Sequence, residues 1–250
     1  MRIDLLLVQL GLAPSRTKAQ ELIHHGDVEI EEKGQWKVVH QPSLKVGHLL
    51  QNQVRLRSDD LLQFVSRGGH KLRAAIDHIG LDIHDRTIFD VGISTGGFAD
   101  CLLQRGARKI VGVDVGTGQL AEKLKNDKRV ISFEQINARD LRSQSDIVKH
   151  VSDVNLCVVD VSFISLTLIL PEVAAVLPHH ELLALIKPQF ELSPDALDKD
   201  GIVTSMADRE KAQAKVRQCA EQCGYQILEI FPAAIKGGDG NQEFFLYAKR

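Results

Sequence analysis

No stretch of this chain is more constraining than Phe89-Asp90-Val91-Gly92-Ile93-Ser94-Thr95-Gly96-Gly97-Phe98. An apolar run from Arg86 to Val91 enters a glycine-rich turn, and a helical pattern from Phe98 to Arg105 leaves it. About twenty residues after the turn, a second apolar run, Lys109 to Val113, ends in Asp114. Strand, turn, helix, strand and acid is the layout that holds an adenosine-containing cofactor. The glycines let the backbone approach the ligand, and the acid accepts from both ribose hydroxyls.

The spacing narrows the cofactor. Gly92-x-x-x-Gly96-Gly97 is not the dinucleotide fingerprint, because Ser94 stands where the second glycine would make room for a pyrophosphate. A cofactor without phosphates needs no such room, and S-adenosylmethionine (SAM) is one. The missing glycine therefore disfavours a nicotinamide-dependent oxidoreductase.

With 250 residues, the chain can hold one large domain or a large and a small one. Its formal net charge of −2 gives no global attraction to nucleic acid or anionic membrane, so any RNA contact must use a local patch. The four cysteines, Cys101, Cys157, Cys219 and Cys223, form no CxxC pair and no metal-ligand cluster, so no metal is expected. Reduced thiols fit a cytoplasmic protein. Asp4 interrupts the first apolar run, so no signal peptide is read there. The longest apolar stretch, Leu156 to Leu170, contains Asp160 and stops at Pro171-Glu172, too short and too interrupted to span a bilayer.

Residues 1–60 differ in texture from the rest. Ile3 to Leu10 reads as a helix ended by Gly11, and Arg16 to His24 as a second, capped by Ser15 and ended by Gly26. Val28-Glu29-Ile30, Trp36 to Val39 and Val54-Arg55-Leu56 read as strands. Ser58-Asp59-Asp60 reads as a linker, and residues 61–250 as a second domain with a lead-in. There a turn is expected at Gly68-Gly69, followed by a helix from His70 to Gly80. Strands at Thr87–Val91, Lys109–Asp114, Val130–Glu134, Asn155–Asp160 and Leu182–Lys187 then alternate with helical patterns, the rhythm of a doubly wound parallel sheet. Tyr225–Phe231 and Glu243–Ala248 close the chain as two strands joined by a glycine-rich loop without a helix, an antiparallel ending.

Lysines and carboxylates fall beside turn signals, two of them at the carboxyl edge of such a sheet, where open α/β folds bind ligands, and the other two, Lys71 and Glu243, able to reach that edge only through the fold. Asp160 ends one strand, Lys187 ends the next before Pro188, Lys71 follows Gly68-Gly69, and Glu243 follows Gly237-Gly238-x-Gly240-Asn241. Each residue alone could be a first solvated position or a helix cap. Together they are what methyl transfer to a weakly acidic hydroxyl asks for: orientation, a proton acceptor, and carboxylates to tune it.

Two resemblances add to this. Arg2-x-Asp4-x-x-Leu7 with Ser15-Arg16-x-x-Ala19-x-x-Leu22-Ile23-x-x-Gly26-x-Val28-x-Ile30 resembles an S4-type RNA-binding domain. The resemblance implies that the second helix presents Arg16 and Lys18 to an RNA backbone. Residues 1–60 nevertheless carry eight Lys/Arg and eight Asp/Glu, so the segment has no net charge. The second resemblance spans nearly the whole chain. Ser66-Arg67-Gly68-Gly69-x-Lys71-Leu72, Asp90 to Phe98, Asp160-Val161-Ser162-Phe163-Ile164-Ser165-Leu166, Ile186-Lys187-Pro188-Gln189-Phe190-Glu191 and Gly240-Asn241-x-Glu243-Phe244 resemble, in order, the hemolysin A (TlyA) family of ribose 2′-O-methyltransferases.

That second resemblance implies a Rossmann-like SAM methyltransferase domain, mainly parallel with an antiparallel C-terminal strand, behind a small α+β S4-like domain. It implies a Lys71, Asp160, Lys187, Glu243 tetrad, with Lys187 as proton acceptor, Asp160 and Glu243 orienting it, and Lys71 positioning substrate. The implied substrate is cytidine in ribosomal RNA, within ribosomal subunits. Gly92, Ser94, Thr95, Gly96 and Gly97 would line the methionine end of SAM, Asp114 would take the ribose and Asn137 would approach the adenine. Asp90, Phe98 and Asp160 complete the expected cofactor set, and Arg67 and Lys71 join Arg16 and Lys18 as expected RNA contacts. Leu192 to Asp200 is expected to be an irregular, acidic, mobile loop that bears on substrate choice. Rival readings are a membrane-active cytolysin, for which the sequence offers no spanning segment, and a non-catalytic RNA-binding assembly factor, against which the intact tetrad argues.

Overall fold

A computed structural model describes residues 1–47, 51–58 and 62–250. Asp59 and Asp60 of the expected linker lie outside the described residues. The chain divides into two compact units, Met1–Ser66 and Arg67–Arg250.

In the first unit, α1 (Ile3–Gln9) and α2 (Arg16–His25) precede β1 (Val28–Glu32), β2 (Gln35–Val38) and β3 (Val54–Leu56). The strands form an antiparallel sheet in the order β2-β1-β3. Ser15 Oγ accepts the Lys18 amide at 3.2 Å to start α2, and Gly26, at φ 84°, ends it. Ile3, Leu6 and Leu7 of α1 and Ala19, Leu22 and Ile23 of α2 recur at helical spacing. They close over Val28, Ile30 and Val54 in one core.

The second unit begins with α3 (Arg67–Ile79). Gly68-Gly69 is therefore not a turn but the first turn of this helix. The apolar face Leu72, Ala75 and Ile76 is buried, and its packing outweighs the roughly 1 kcal/mol that a glycine costs a helix. There follow β4 (Thr87–Val91), α4 (Gly97–Gln104), β5 (Lys109–Val113), α5 (Glu122–Lys125), β6 (Val130–Phe133), α6 (Ser145–His150) and β7 (Leu156–Val159). The chain ends with α7 (Leu170–Val176), β8 (Glu181–Ile186), α8 (Pro188–Glu191), α9 (Met206–Gln222), β9 (Gln226–Pro232) and β10 (Phe244–Lys249).

The seven strands run in the order β6-β5-β4-β7-β8-β10-β9. β6, β5, β4, β7 and β8 are parallel, and β10 is antiparallel to both β8 and β9. This mostly parallel sheet with one reversed strand is the architecture that the motif resemblance implied. Strands buried on both faces read as unbroken apolar runs, which is why β4, β7 and β8 were visible in the sequence. One face carries Phe89, Val91, Val159 and Ala184 against Val173 of α7 and Val216 of α9.

The charged residue at several strand ends falls just outside the ladder. Asp114, Asp160 and Lys187 follow the last residues of β5, β7 and β8, and Glu243 precedes the first of β10. Because β10 is reversed, its beginning lies at the edge where the parallel strands end. Leu192 to Asp200 is irregular, with a 3-10 turn at Pro194–Ala196 and Asp198 accepting from the amides of Asp200 and Ile202.

Candidate active site

A cleft of about 500 Å³ opens at this edge, lined by residues that include Gly92, Ser94, Asp114, Asn137, Asp160 and Phe163. Its size suits a small-molecule ligand. The turn after β4 forms its floor. Gly92 and Ile93 donate to the Val113 carbonyl at 2.9 and 3.1 Å, tying the turn to β5. Gly92, at φ 89°, lies so close to β7 that a Cβ there would stand 2.3 Å from the Asp160 carbonyl oxygen. Only glycine occupies that position without forcing the two segments apart.

Asp114 spans the turn: its Oδ2 accepts the Ser94 amide at 2.8 Å and its Oδ1 the Gly116 amide at 2.7 Å. Each oxygen keeps a lone pair for a ligand hydroxyl. Ser94 Oγ donates to Gln119 Oε1 at 3.0 Å. Asn137 lies on the far side of the cleft, where its side chain accepts the Arg139 amide at 3.0 Å.

Asp90 is fully buried within β4, and neither carboxyl oxygen has a well-formed hydrogen bond among the described residues. Burial pushes this carboxyl well above the usual range. The nearby Asp160 and Asp114 add to the shift, and the Ala99 amide opposes it. Gly96, Gly97 and Phe98 do not line the cleft. They begin α4 and pack inward, with the Phe98 ring stacked 6.3 Å from that of Phe245. A helix start with a left-handed N-cap accounts for this part of the glycine pattern without a ligand. Thr95 is exposed and also outside the lining.

The two lysines and two carboxylates form two ion pairs. Lys187 Nζ lies 2.7 Å from Asp160 Oδ1 and donates to Ser162 Oγ at 2.9 Å. Lys71 Nζ donates to Glu243 Oε2 at 2.5 Å, and both side chains are almost wholly buried. The register of β10 on β8 pairs Phe244 with Ile186, so Glu243 and Lys187 stand side by side one step beyond the ladder. The fold thus gathers four residues drawn from positions 71, 160, 187 and 243. The glycine-rich loop before β10 makes room for this: a Cβ on Gly237 would stand 2.7 Å from Glu243 Oε1.

The expected RNA contacts fare unequally. Arg67 is half-buried, its guanidinium donating to the Lys236 carbonyl at 3.2 Å. Arg16 is half exposed, and its Nε donates to Asp4 Oδ2 at 2.9 Å. Asp4, fully buried, also accepts from Arg2, Gln20 and the Leu5 amide. Those hydrogen bonds outweigh its burial and hold its carboxyl well below the usual range. Lys18 does not point outward: its side chain is 6% exposed and its ammonium lies 3.1 Å from Glu21. The expectation that Lys18 meets an RNA backbone is therefore corrected, because its methylene stem packs into the unit and Glu21, one turn on, neutralises it.

Sequence reasoning missed much of the cleft wall. Val115, Gln119, Arg139, Ser162, Phe163 and Ile164 all line it. Phe163 gives the clearest signal, a bulky residue at φ 63° with 90% of its surface exposed.

Comparison with known proteins bears on this geometry. The model of the FtsJ-like methyltransferase family matches residues 64–250, and that of the S4 domain residues 1–33. The chain belongs to the FtsJ-like methyltransferase family. The 16S/23S rRNA (cytidine-2′-O)-methyltransferase TlyA of Mycobacterium tuberculosis is 35% identical over 251 residues, covering 99% of this chain and 89% of its own. Hemolysin A of Brachyspira hyodysenteriae is 35% identical over 253 residues, covering 99% of each. A solved structure from Streptococcus thermophilus is 34% identical, covers 100% of this chain and 88% of its own, and superposes with a TM-score of 0.73. The resemblance read from the motifs is thus a family membership. Despite the hemolysin name, no helix among the described residues is long and apolar enough to cross a membrane.

Proposed function

We propose that this protein transfers a methyl group from SAM to the 2′-hydroxyl of a cytidine ribose in ribosomal RNA. The observation that carries the reading is the convergence of the Asp160–Lys187 and Lys71–Glu243 pairs beside a cleft built around Asp114. The cleft's volume and the close approach at Gly92 fit an elongated ligand with polar ends. Asp114 would hold the ribose diol, Asn137 would lie toward the adenine, and Gly92, Ser94 and Asp90 would lie toward the methionine end. When bound, SAM supplies a methyl on a sulfonium that needs no further activation.

Lys187 would take the proton of the ribose hydroxyl as the oxygen takes the methyl carbon and the methyl–sulfur bond of SAM breaks, leaving a neutral thioether. The ammonium so formed is held by Asp160 at 2.7 Å and by Ser162 at 2.9 Å. Glu243 stands beside Lys187 and pairs with the buried Lys71, whose charge holds the Glu243 carboxylate at the catalytic edge. Phe163, exposed at the mouth, offers a flat face to an unstacked base. Arg16 of the first unit and Arg67 of the second supply phosphate contacts. The decisive experiment incubates the protein with tritiated SAM and unmodified ribosomal subunits and maps the label. Label on a cytidine 2′-oxygen supports the reading. SAM binding without transfer to any ribosomal RNA refutes it.

A further inference from the structure

We propose that Glu191 is a positioning residue for methyl transfer, fixing the far end of the loop that carries Asp160 and Ser162 to Lys187. The inference rests on the catalytic reading above.

The loop of residues 160–166 leaves β7 with the Asp160 amide donating to the Val91 carbonyl at 3.0 Å. At its other end, Glu191 accepts from Ser165 Oγ at 2.5 Å and from the Leu166 amide at 2.7 Å. Ser165 Oγ in turn accepts the Thr167 amide at 3.2 Å, starting the 3-10 turn Leu166–Leu168. Glu191 is 4% exposed and does not line the cleft, so it cannot touch a substrate there. Its own carbonyl accepts Lys215 Nζ of α9 at 2.5 Å, which holds it from behind.

The single-turn helix α8 therefore grips the loop at both ends. Lys187, just before it, holds Asp160 and Ser162, and Glu191, its last residue, holds Ser165 and Leu166. Between them the Phe190 ring lies 5.0 Å from that of Phe163. The loop needs such a grip because Phe163 sits at φ 63°, a conformation that persists only where its surroundings over-determine it. Truncating Glu191 leaves the Leu166 amide without its acceptor and the Ser165 hydroxyl with only Thr167 Oγ1, 2.7 Å away, to turn to. The loop can then satisfy that amide only by moving, and it takes Ser162 and Asp160 with it.

The test uses the full chain, tritiated SAM and ribosomal subunits, with SAM affinity measured by calorimetry and folding by thermal melting. Glu191→Ala should lower kcat by about 100-fold, the cost of a misplacement of about 1 Å, with SAM affinity within about 3-fold of the parent. Glu191→Gln keeps an acceptor for the Leu166 amide and should recover to within about 10-fold of the parent kcat. A kcat for Glu191→Ala within 2-fold of the parent overturns the proposal, as does a loss of SAM affinity equal to the loss of kcat. If Glu191→Ala does not fold, Ser165→Ala carries the test, with a loss of about 10-fold expected and an unchanged kcat overturning the proposal. A wild type that binds SAM without transferring label refutes the catalytic reading and this inference together; an active wild type matched by Glu191→Ala refutes this inference alone.

Discussion

Replacing Gly92 with alanine tests the architecture of the cleft most directly. The new Cβ would stand 2.3 Å from the Asp160 carbonyl oxygen, where ordinary contact begins at 3.4 Å, so the β4 turn and the Asp160 segment must part by about 1 Å. Overpacking of this kind costs about 1–3 kcal/mol. The left-handed backbone at φ 89° adds about 1–2 kcal/mol. For a unit of this size the total of about 2–5 kcal/mol corresponds to a fall in Tm of roughly 4–20 °C. A shift of about 1 Å at Asp160 should also cost about 100-fold in kcat. Gly118→Ala is the control: its φ is also positive, at 68°, but nothing lies within 4 Å of the added Cβ. Melting curves and single-turnover transfer measured on both variants separate backbone strain from collision. The reasoning fails if Gly92→Ala melts no lower than Gly118→Ala and transfers methyl at the parent rate.

Lys187→Ala should abolish transfer and leave SAM affinity intact, whereas Asp114→Ala should lose SAM affinity; calorimetry beside a filter assay reads both, and the opposite pattern would reverse the assigned roles. Arg16→Ala should weaken ribosomal RNA binding and reduce its salt slope by about one, while the buried Lys18, changed to alanine, should leave the slope unchanged. Gly237→Ala pushes on Glu243 Oε1 from 2.7 Å and should lower kcat without loss of SAM affinity, which titration against the parent checks. Burial, with Arg250 nearby, lowers the His180 pKa from 6.5 to about 4. Its stabilising contribution is thus complete above pH 6.5 and declines as pH falls toward 4. The catalytic unit should lose about 2 kcal/mol between pH 7.5 and 5, and denaturant unfolding of a His180→Asn variant should show that slope reduced.

Much of this fold was legible because its strands are buried on both sides. Thr87–Val91 was bounded to the residue, and the other strands of the large sheet were displaced by one residue at one end or at both. The charged residues assigned to the ends of the parallel strands belong to the loops that follow, since a side chain reaching into a cleft leaves the ladder. The tetrad was legible as motifs, but its pairing was not: Lys71 joins Glu243 through the reversed direction of β10, which no local pattern encodes. Lys18 misled because helix spacing says which face a residue occupies, not what will cover that face. Gly96, Gly97 and Phe98 begin a packed helix outside the cleft lining. A glycine turn that opens a packed helix has the same spelling as one that cradles a ligand, and the Phe98 ring lies against Phe245, distant in sequence. The cleft walls at Gln119, Arg139 and Phe163 come from loops, whose conformation has no periodic signal to read.

The order in which strands join the sheet gives the pair β9 and β10 a particular history. Among the described residues, β9 hydrogen-bonds to β10 and to no other strand, while β10 also lies against β8. β9 cannot join the sheet before β10 is in place, so loss of β10 from β8 takes β9 with it. The docking of β10 brings Glu243 to Lys71, and its reversal breaks their ion pair. The final closure of the sheet and the completion of the catalytic edge are then one event. In hydrogen exchange the amides of β9 and β10 should open as one cooperative unit, and a chain caught in that open state is folded over most of its length yet without its tetrad.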